Sequence, residues 1–231
     1  KISELSNEDT LFIYTPAIPK TSVLLNYFNE NNFELVKRAK ILGIISQGYK
    51  TVGVAGTHGK TTTSSILAHL LYHANRNVTC FVGGVLKNYD SNLIYRNDGD
   101  GEHIVVVEAD EFDRSFLQLQ PDMAIVTTVD PDHLDIYQDE ETFYQAFDEF
   151  VSLLPKNGLL VKNEVVNRDF SNVSNQCVYG EGEEAQAINL RVENGYQVFD
   201  YKRKDILINE LEMYVPGYHN IMNTVAAITV A

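Results

Sequence analysis

Positive charge is scarce in this chain. Lys and Arg number 18 against 32 Asp and Glu, a formal net charge of −14 over 231 residues. With no basic stripe to offset that balance, a nucleic-acid backbone is excluded as the main partner. Cysteine is nearly absent. Cys80 and Cys177 are far apart and outside any C-x-x-C pattern, which predicts two buried thiols in a reducing, cytoplasmic setting rather than a disulfide framework. No apolar run approaches a membrane span, and no signal-peptide pattern opens the chain, so no membrane partner is expected. Internal repeats and low-complexity tracts are also missing. What is present is 44% apolar residues, enough for a substantial core and against general disorder.

The chain is organised around Val52-Gly53-Val54-Ala55-Gly56-Thr57-His58-Gly59-Lys60-Thr61-Thr62-Thr63. An apolar strand runs into a glycine-rich turn, a lysine and a helical pattern, the order that builds a phosphate cradle. Backbone N–H groups and the helix N-terminus attract the anion, the lysine reaches terminal phosphates, and the adjacent hydroxyl can hold Mg²⁺. The common pattern G-x-x-x-x-G-K-[ST] is incomplete, because Val54 stands where its first glycine belongs. The alternative is a tight strand-to-helix turn with a solvated lysine. In so acidic a chain, an ATP site has to be a local positive pocket made from Lys60, backbone amides and metal ions.

Before the loop, Leu11–Tyr14 reads as a strand, Ser22 caps a helix through Asn29, Phe33–Val36 reads as a strand and Val36–Ser46 as a helix. After it, a helix over Thr61–His73 is predicted, then buried strands over Asn77–Val82 and His103–Val107 with a polar loop, Lys87–Gly101, between them. Asp122–Val129 reads as a strand, Glu141–Leu154 as an amphipathic helix, and Gly158–Val161 as the start of a further strand. Gln176–Val215 carries short alternating strands with a turn at Glu193-Asn194-Gly195, and a last helix starts near Asn220. The fold class expected is α/β, a mostly parallel central sheet flanked by helices, with a small antiparallel extension.

Two strand ends carry chemistry. Val107-Glu108-Ala109-Asp110-Glu111 puts carboxylates past the end of a buried strand, where open α/β sheets bind ligands and where an acidic residue meets Mg²⁺; the alternative is a solvated acidic turn. Thr127-Thr128-Val129-Asp130-Pro131-Asp132-His133-Leu134-Asp135 repeats the arrangement, with His133 a metal ligand, an imidazolium held by carboxylates, or a surface histidine. His69 and His73 have ligand spacing but no H-E-x-x-H partner, so they read as ordinary helix residues. Asp139-Glu140-Glu141 reads as an acidic helix N-terminus.

Taken together, these motifs resemble the Mur ligases, the ATP-dependent amide ligases of peptidoglycan synthesis. Gly56-Thr57-His58-Gly59-Lys60-Thr61-Thr62 matches their phosphate loop, including its departure from the common pattern. Glu108-Ala109-Asp110-Glu111, Asp132-His133-Leu134-Asp135 and Gly217-Tyr218-His219-Asn220-Ile221-Met222-Asn223 match three later motifs in order. Glu108 to Leu117 looks most like the members that join L-alanine to UDP-N-acetylmuramate. The resemblance implies a three-domain enzyme, with residues 1–49 the end of a UDP-substrate-binding domain, 50–231 the central ATP-binding domain and the C-terminal domain absent. It implies that ATP phosphorylates the sugar's lactyl carboxylate and that the amine attacks the acyl phosphate. Lys60, Glu108 and His133 are then the catalytic residues. Gly56, Thr57, His58, Gly59, Lys60, Thr61, Thr62, Asn220 and Asn223 bind ATP, with the two asparagines on its adenine or ribose side. Thr61 and Glu108 hold one Mg²⁺, and His133 helps hold a second. Several members use a carbamylated lysine after the histidine motif, but no lysine lies between Lys87 and Lys156 here; a carboxylate of residues 139–141 is the one stand-in at hand. Competing readings are a ligase that recycles a preformed tripeptide onto UDP-N-acetylmuramate, and a nucleotide-binding module without turnover. A folylpolyglutamate-type ligase fits the motifs poorly.

Overall fold

The computed structural model describes residues 5–6, 8–131, 137 and 139–231. Asp132 to Asp135, including His133, lie outside the described residues.

A short βαβ unit comes first. Strand β1 (Phe12–Tyr14) pairs in parallel with β2 (Leu35–Lys37) across helix α1 (Val23–Glu30), which Ser22 caps. Phe12, Phe28 and Phe33 form its aromatic centre, with ring centroids 3.6 to 5.4 Å apart. Helix α2 (Arg38–Ser46) leads on to β3 (Lys50–Ala55), the phosphate-loop strand, and α3 (Lys60–His73) follows the loop.

The remaining strands are β4 (Arg76–Leu86), β5 (Ser91–Arg96), β6 (Asp100–Glu108), β7 (Met123–Val126), β8 (Leu159–Asn163), β9 (Gln176–Tyr179), β10 (Ala185–Glu193), β11 (Tyr196–Arg203) and β12 (Ile206–Met213). They join β3 in one sheet of order β12-β11-β10-β9-β8-β7-β3-β6-β4-β5. From β10 through β4 every pairing is parallel; β5, β11 and β12 add antiparallel pairings at the two edges. The mostly parallel sheet with an antiparallel extension is thus as the periodicity indicates.

Alternation along the central strands fills both faces. Val52, Val54 and Val106 pack with Leu67 of α3 and with Val225 of the last helix, α5 (Tyr218–Val230). Val105, Val107 and Val126 face Phe116 and the Phe143, Phe147, Phe150 stripe of α4 (Glu140–Ser152). A Cβ on Gly53 would sit 3.0 Å from Phe150 Cζ, so the missing side chain lets α4 press onto β3. Both cysteines are buried and free; burial pushes the Cys177 thiol up to about 11 and Cys80 higher still, so both stay protonated.

Two expectations change. The polar stretch after Lys87 contains β5, antiparallel to β4 and anchored by one buried side chain, Ile94, with Leu93 and Tyr95 facing out. β9 and β10 continue the parallel sheet, and the antiparallel ribbon begins only at the Asn194-Gly195 turn. Asn194 and Gly195 there adopt φ of +51° and +85°, as a tight two-residue hairpin requires.

Candidate functional site

The site forms where β3, β6 and β7 end at one edge of the sheet. Gly56 leaves β3 at φ +140°, and a Cβ there would lie 2.0 Å from Thr127 Oγ1. Only glycine lets the loop pass that close to β7. The loop is laced to the β7 end. Thr57 N–H donates to Thr128 O at 3.1 Å, His58 N–H donates to Thr128 Oγ1 at 3.0 Å, and Thr57 Oγ1 donates to Asp130 O at 2.8 Å. With those two amides engaged, the donors left for an anion come from the start of α3. Gly59, its N-cap at φ +86°, has no side chain to cap it, and the first helical N–H groups have no partner one turn back.

Lys60 folds back over this loop. Its Nζ donates to Gly56 O at 2.6 Å and to both oxygens of Glu111, at 2.8 and 3.0 Å. The pair is largely withdrawn from water, with the lysine side chain 13% and the glutamate 3% exposed. Burial pushes the Glu111 carboxyl above the usual glutamate range, and the Lys60 ammonium pulls against it. Glu111 is held beneath the loop by the turn after β6: Tyr137 Oη donates to its carbonyl, Arg114 N–H donates to the same oxygen at 3.0 Å, and Asp113 and Arg114 both take left-handed conformations. Thr61 Oγ1 donates to Glu108 Oε1 at 2.7 Å, and Glu108 Oε2 accepts from Gly83 N–H at 2.8 Å.

Lys60, Thr61 and Glu108 are therefore brought together. Thr62, half-buried, lines a cavity of about 390 Å³ with Thr61, Ile66, His69 and Tyr89. Asn223 lies against the loop, its Oδ1 2.7 Å from where a Gly59 Cβ would be. It lines a cavity of about 300 Å³ with His58, Glu164, Tyr179, Tyr218 and His219. Asn220 is directed elsewhere: its Nδ2 donates to Pro216 O at 2.7 Å and its Oδ1 faces Asn223 Nδ2 at 3.5 Å. A further cavity, of about 320 Å³, opens past Glu108 and Asp110 toward Thr15, Arg38 and Ser115. His69 bonds the Tyr89 hydroxyl at 2.9 Å, and its ring centroid lies 4.3 Å from that of His73. Asp139 Oδ1 accepts from Thr142 N–H at 2.7 Å, so it caps α4. Sequence reasoning assigned no role to Glu111, Thr128 or Gly83; Glu111 was quoted in its motif, but no spacing rule says it turns back under Lys60.

Oxygen donors at Thr61 and Glu108 suit a hard cation. Among the described residues, no group of three or more His, Cys, Asp and Glu could hold a metal by itself.

A sequence profile described as the Mur ligase middle domain matches residues 54–231. A protein named UDP-N-acetylmuramate–L-alanine ligase from Cytophaga hutchinsonii is 43% identical over 227 residues, covering 97% of this chain and 49% of its own length. The chain spans about half the length of the curated relatives it matches. The fold is similar to that of the UDP-N-acetylmuramate-alanine ligase from Thermotoga maritima, with a TM-score of 0.79 at 22% identity, covering 97% of this chain and 52% of the other. It is nearly as similar to a UDP-N-acetylmuramate:L-alanyl-γ-D-glutamyl-meso-diaminopimelate ligase from Neisseria meningitides, with a TM-score of 0.78 at 23% identity, covering 95% and 72%.

Proposed function

This chain belongs to the Mur ligase family, and we propose that it is the ATP-binding part of a ligase that joins L-alanine to UDP-N-acetylmuramate in the cytoplasm. Residues 50–231 are the ATP-binding domain and 1–49 the end of the domain that holds the UDP-sugar. The observation that carries the reading is the convergence of Lys60, Thr61 and Glu108 at one sheet edge, between two cavities.

The chemistry sets the requirements. A carboxylate is a poor electrophile, and phosphorylation gives it a leaving group that an amine can displace. Two anions have to meet first, so the site must supply positive charge where they do. Lys60 and the first amides of α3 bind the terminal phosphates; Asn223 and its cavity take the nucleoside side. Thr61 and Glu108 would hold one Mg²⁺ and His133 would help hold a second; such ions would screen phosphate charge and polarise the transferring group. The cavity past Glu108 would take the sugar's carboxylate beside the phosphates, and withdrawal of the site from water would protect the acyl phosphate.

The test is acceptor choice by the full-length protein, given ATP, Mg²⁺ and UDP-N-acetylmuramate. Phosphate release and product with L-alanine are expected. Product with the tripeptide alone would make it the recycling ligase, and nucleotide binding without turnover would make it a non-catalytic module.

A further inference from the structure

The ammonium of Lys60 is oversubscribed. It has three N–H donors, yet four protein acceptors lie within 3.4 Å: Gly56 O, Thr57 O and the two carboxylate oxygens of Glu111. A phosphate oxygen can receive one of those donors only if a protein acceptor gives it up. Glu111 is the partner able to do so without letting go, because it holds the ammonium with both oxygens and can keep one. The carboxylate itself cannot wander. Its side chain is 3% exposed, and its backbone is pinned by Tyr137 and Arg114.

We propose that Glu111 is a positioning residue, which tethers the Lys60 ammonium over the loop and, on nucleotide binding, releases one N–H toward the terminal phosphate while retaining another. This rests on the ligase reading above for its effect on turnover, but not for its effect on nucleotide binding. The tether has two consequences of opposite sign. The negative charge of Glu111 offsets that of Lys60, so it weakens the ground-state attraction for a polyanion. By fixing where the ammonium points, it places positive charge where phosphoryl charge develops in the transition state, which is where oriented charge accelerates reaction.

Those consequences separate in a Glu111→Gln variant of the full-length protein, which keeps the shape and one acceptor but loses the charge. ATP affinity, read by calorimetry, should rise about threefold or more, while kcat should fall about tenfold or more. Glu111→Asp keeps the charge at shorter reach, so its ATP affinity should stay near wild type with an intermediate kcat, and it decides the matter if the glutamine variant does not fold. Unchanged affinity and turnover in Glu111→Gln would make Glu111 a bystander. Affinity, turnover and melting temperature falling together would make it mere support for the loop. Either result overturns the proposal. A wild-type protein that binds ATP yet ligates neither acceptor would sink the ligase reading and leave the affinity comparison to judge Glu111.

Discussion

At the scale of single residues, the site is a balance of charges held out of water. Among the described residues Lys60 is the one basic side chain bonded within the loop, so Lys60→Ala should weaken ATP binding by about 2–4 kcal/mol, as loss of a charge-assisted, desolvated contact does. Equal ATP affinity in calorimetry would refute the assignment. The same change leaves Glu111 buried without its cation, and a buried charge stripped of its partner costs about 3–5 kcal/mol of stability. Burial already raises the Glu111 carboxyl, and without Lys60 it should rise further. A carboxyl raised in the folded state retains its proton where the unfolded chain has lost it, so stability falls as pH climbs from the ordinary glutamate value through the folded one. Denaturation of Lys60→Ala should therefore show a smaller deficit against wild type at pH 5 than at pH 8. Adding Glu111→Gln should abolish that pH dependence; a deficit independent of pH would mean that the carboxylate finds another partner.

At the scale of elements, most of the fold was legible because burial imposes a period. The apolar runs of β3, β6 and β8 are covered on both faces, and α4 shows its Phe143, Phe147, Phe150 stripe openly. Ser22 announced its helix by capping chemistry, and Asp139-Glu140-Glu141 announced α4 by its run of negative charge, with the cap by Asp139 visible only in the structure. β5 was hidden because only Ile94 among its residues is buried, so no alternation stands out in a polar stretch. The loop, Lys60 and Thr61 were legible as a local motif, and Glu108 as an acidic strand end. Glu111 under Lys60 and Thr128 across from Thr57 were not, since they depend on turns that bring residues about 50 to 70 positions apart together. Asp139 gives this scale its prediction. Thr142 N–H holds its carboxyl below the usual aspartate range. A depressed carboxyl stabilises fully above the unfolded value, and the contribution is lost as pH falls through the folded one. Asp139→Ala should be less stable than wild type at pH 7, with the gap narrowing toward pH 3, whereas Asp139→Asn, still able to cap, should lose less. A gap that is the same at both pH values would exclude the charged cap.

At the scale of the whole molecule, the sheet delivers the phosphate loop to a place flanked by two cavities. The one beyond Asn223 is lined by His58, Tyr179, Tyr218 and His219, and the one past Glu108 reaches back to Arg38 and Thr15. Relatives that carry the ligase name are about twice as long as these residues. A reaction between two bound anions and an amine depends on holding all three; positioning that makes a bimolecular meeting effectively intramolecular can be worth about 7–11 kcal/mol of barrier. On the function proposed above, residues 1–231 supply the phosphate cradle, and the further length that such relatives have would supply the remaining grips on sugar and amine. The isolated 231-residue polypeptide should therefore bind ATP, more weakly than the full-length protein because domain closure completes such sites. It should form no UDP-N-acetylmuramoyl-L-alanine when given ATP, Mg²⁺, UDP-N-acetylmuramate and L-alanine. Calorimetry and product analysis on the two polypeptides side by side check this. Product from the shorter one at a rate near that of the full-length protein would mean that the substrate grips already lie within the βαβ unit and the sheet edge.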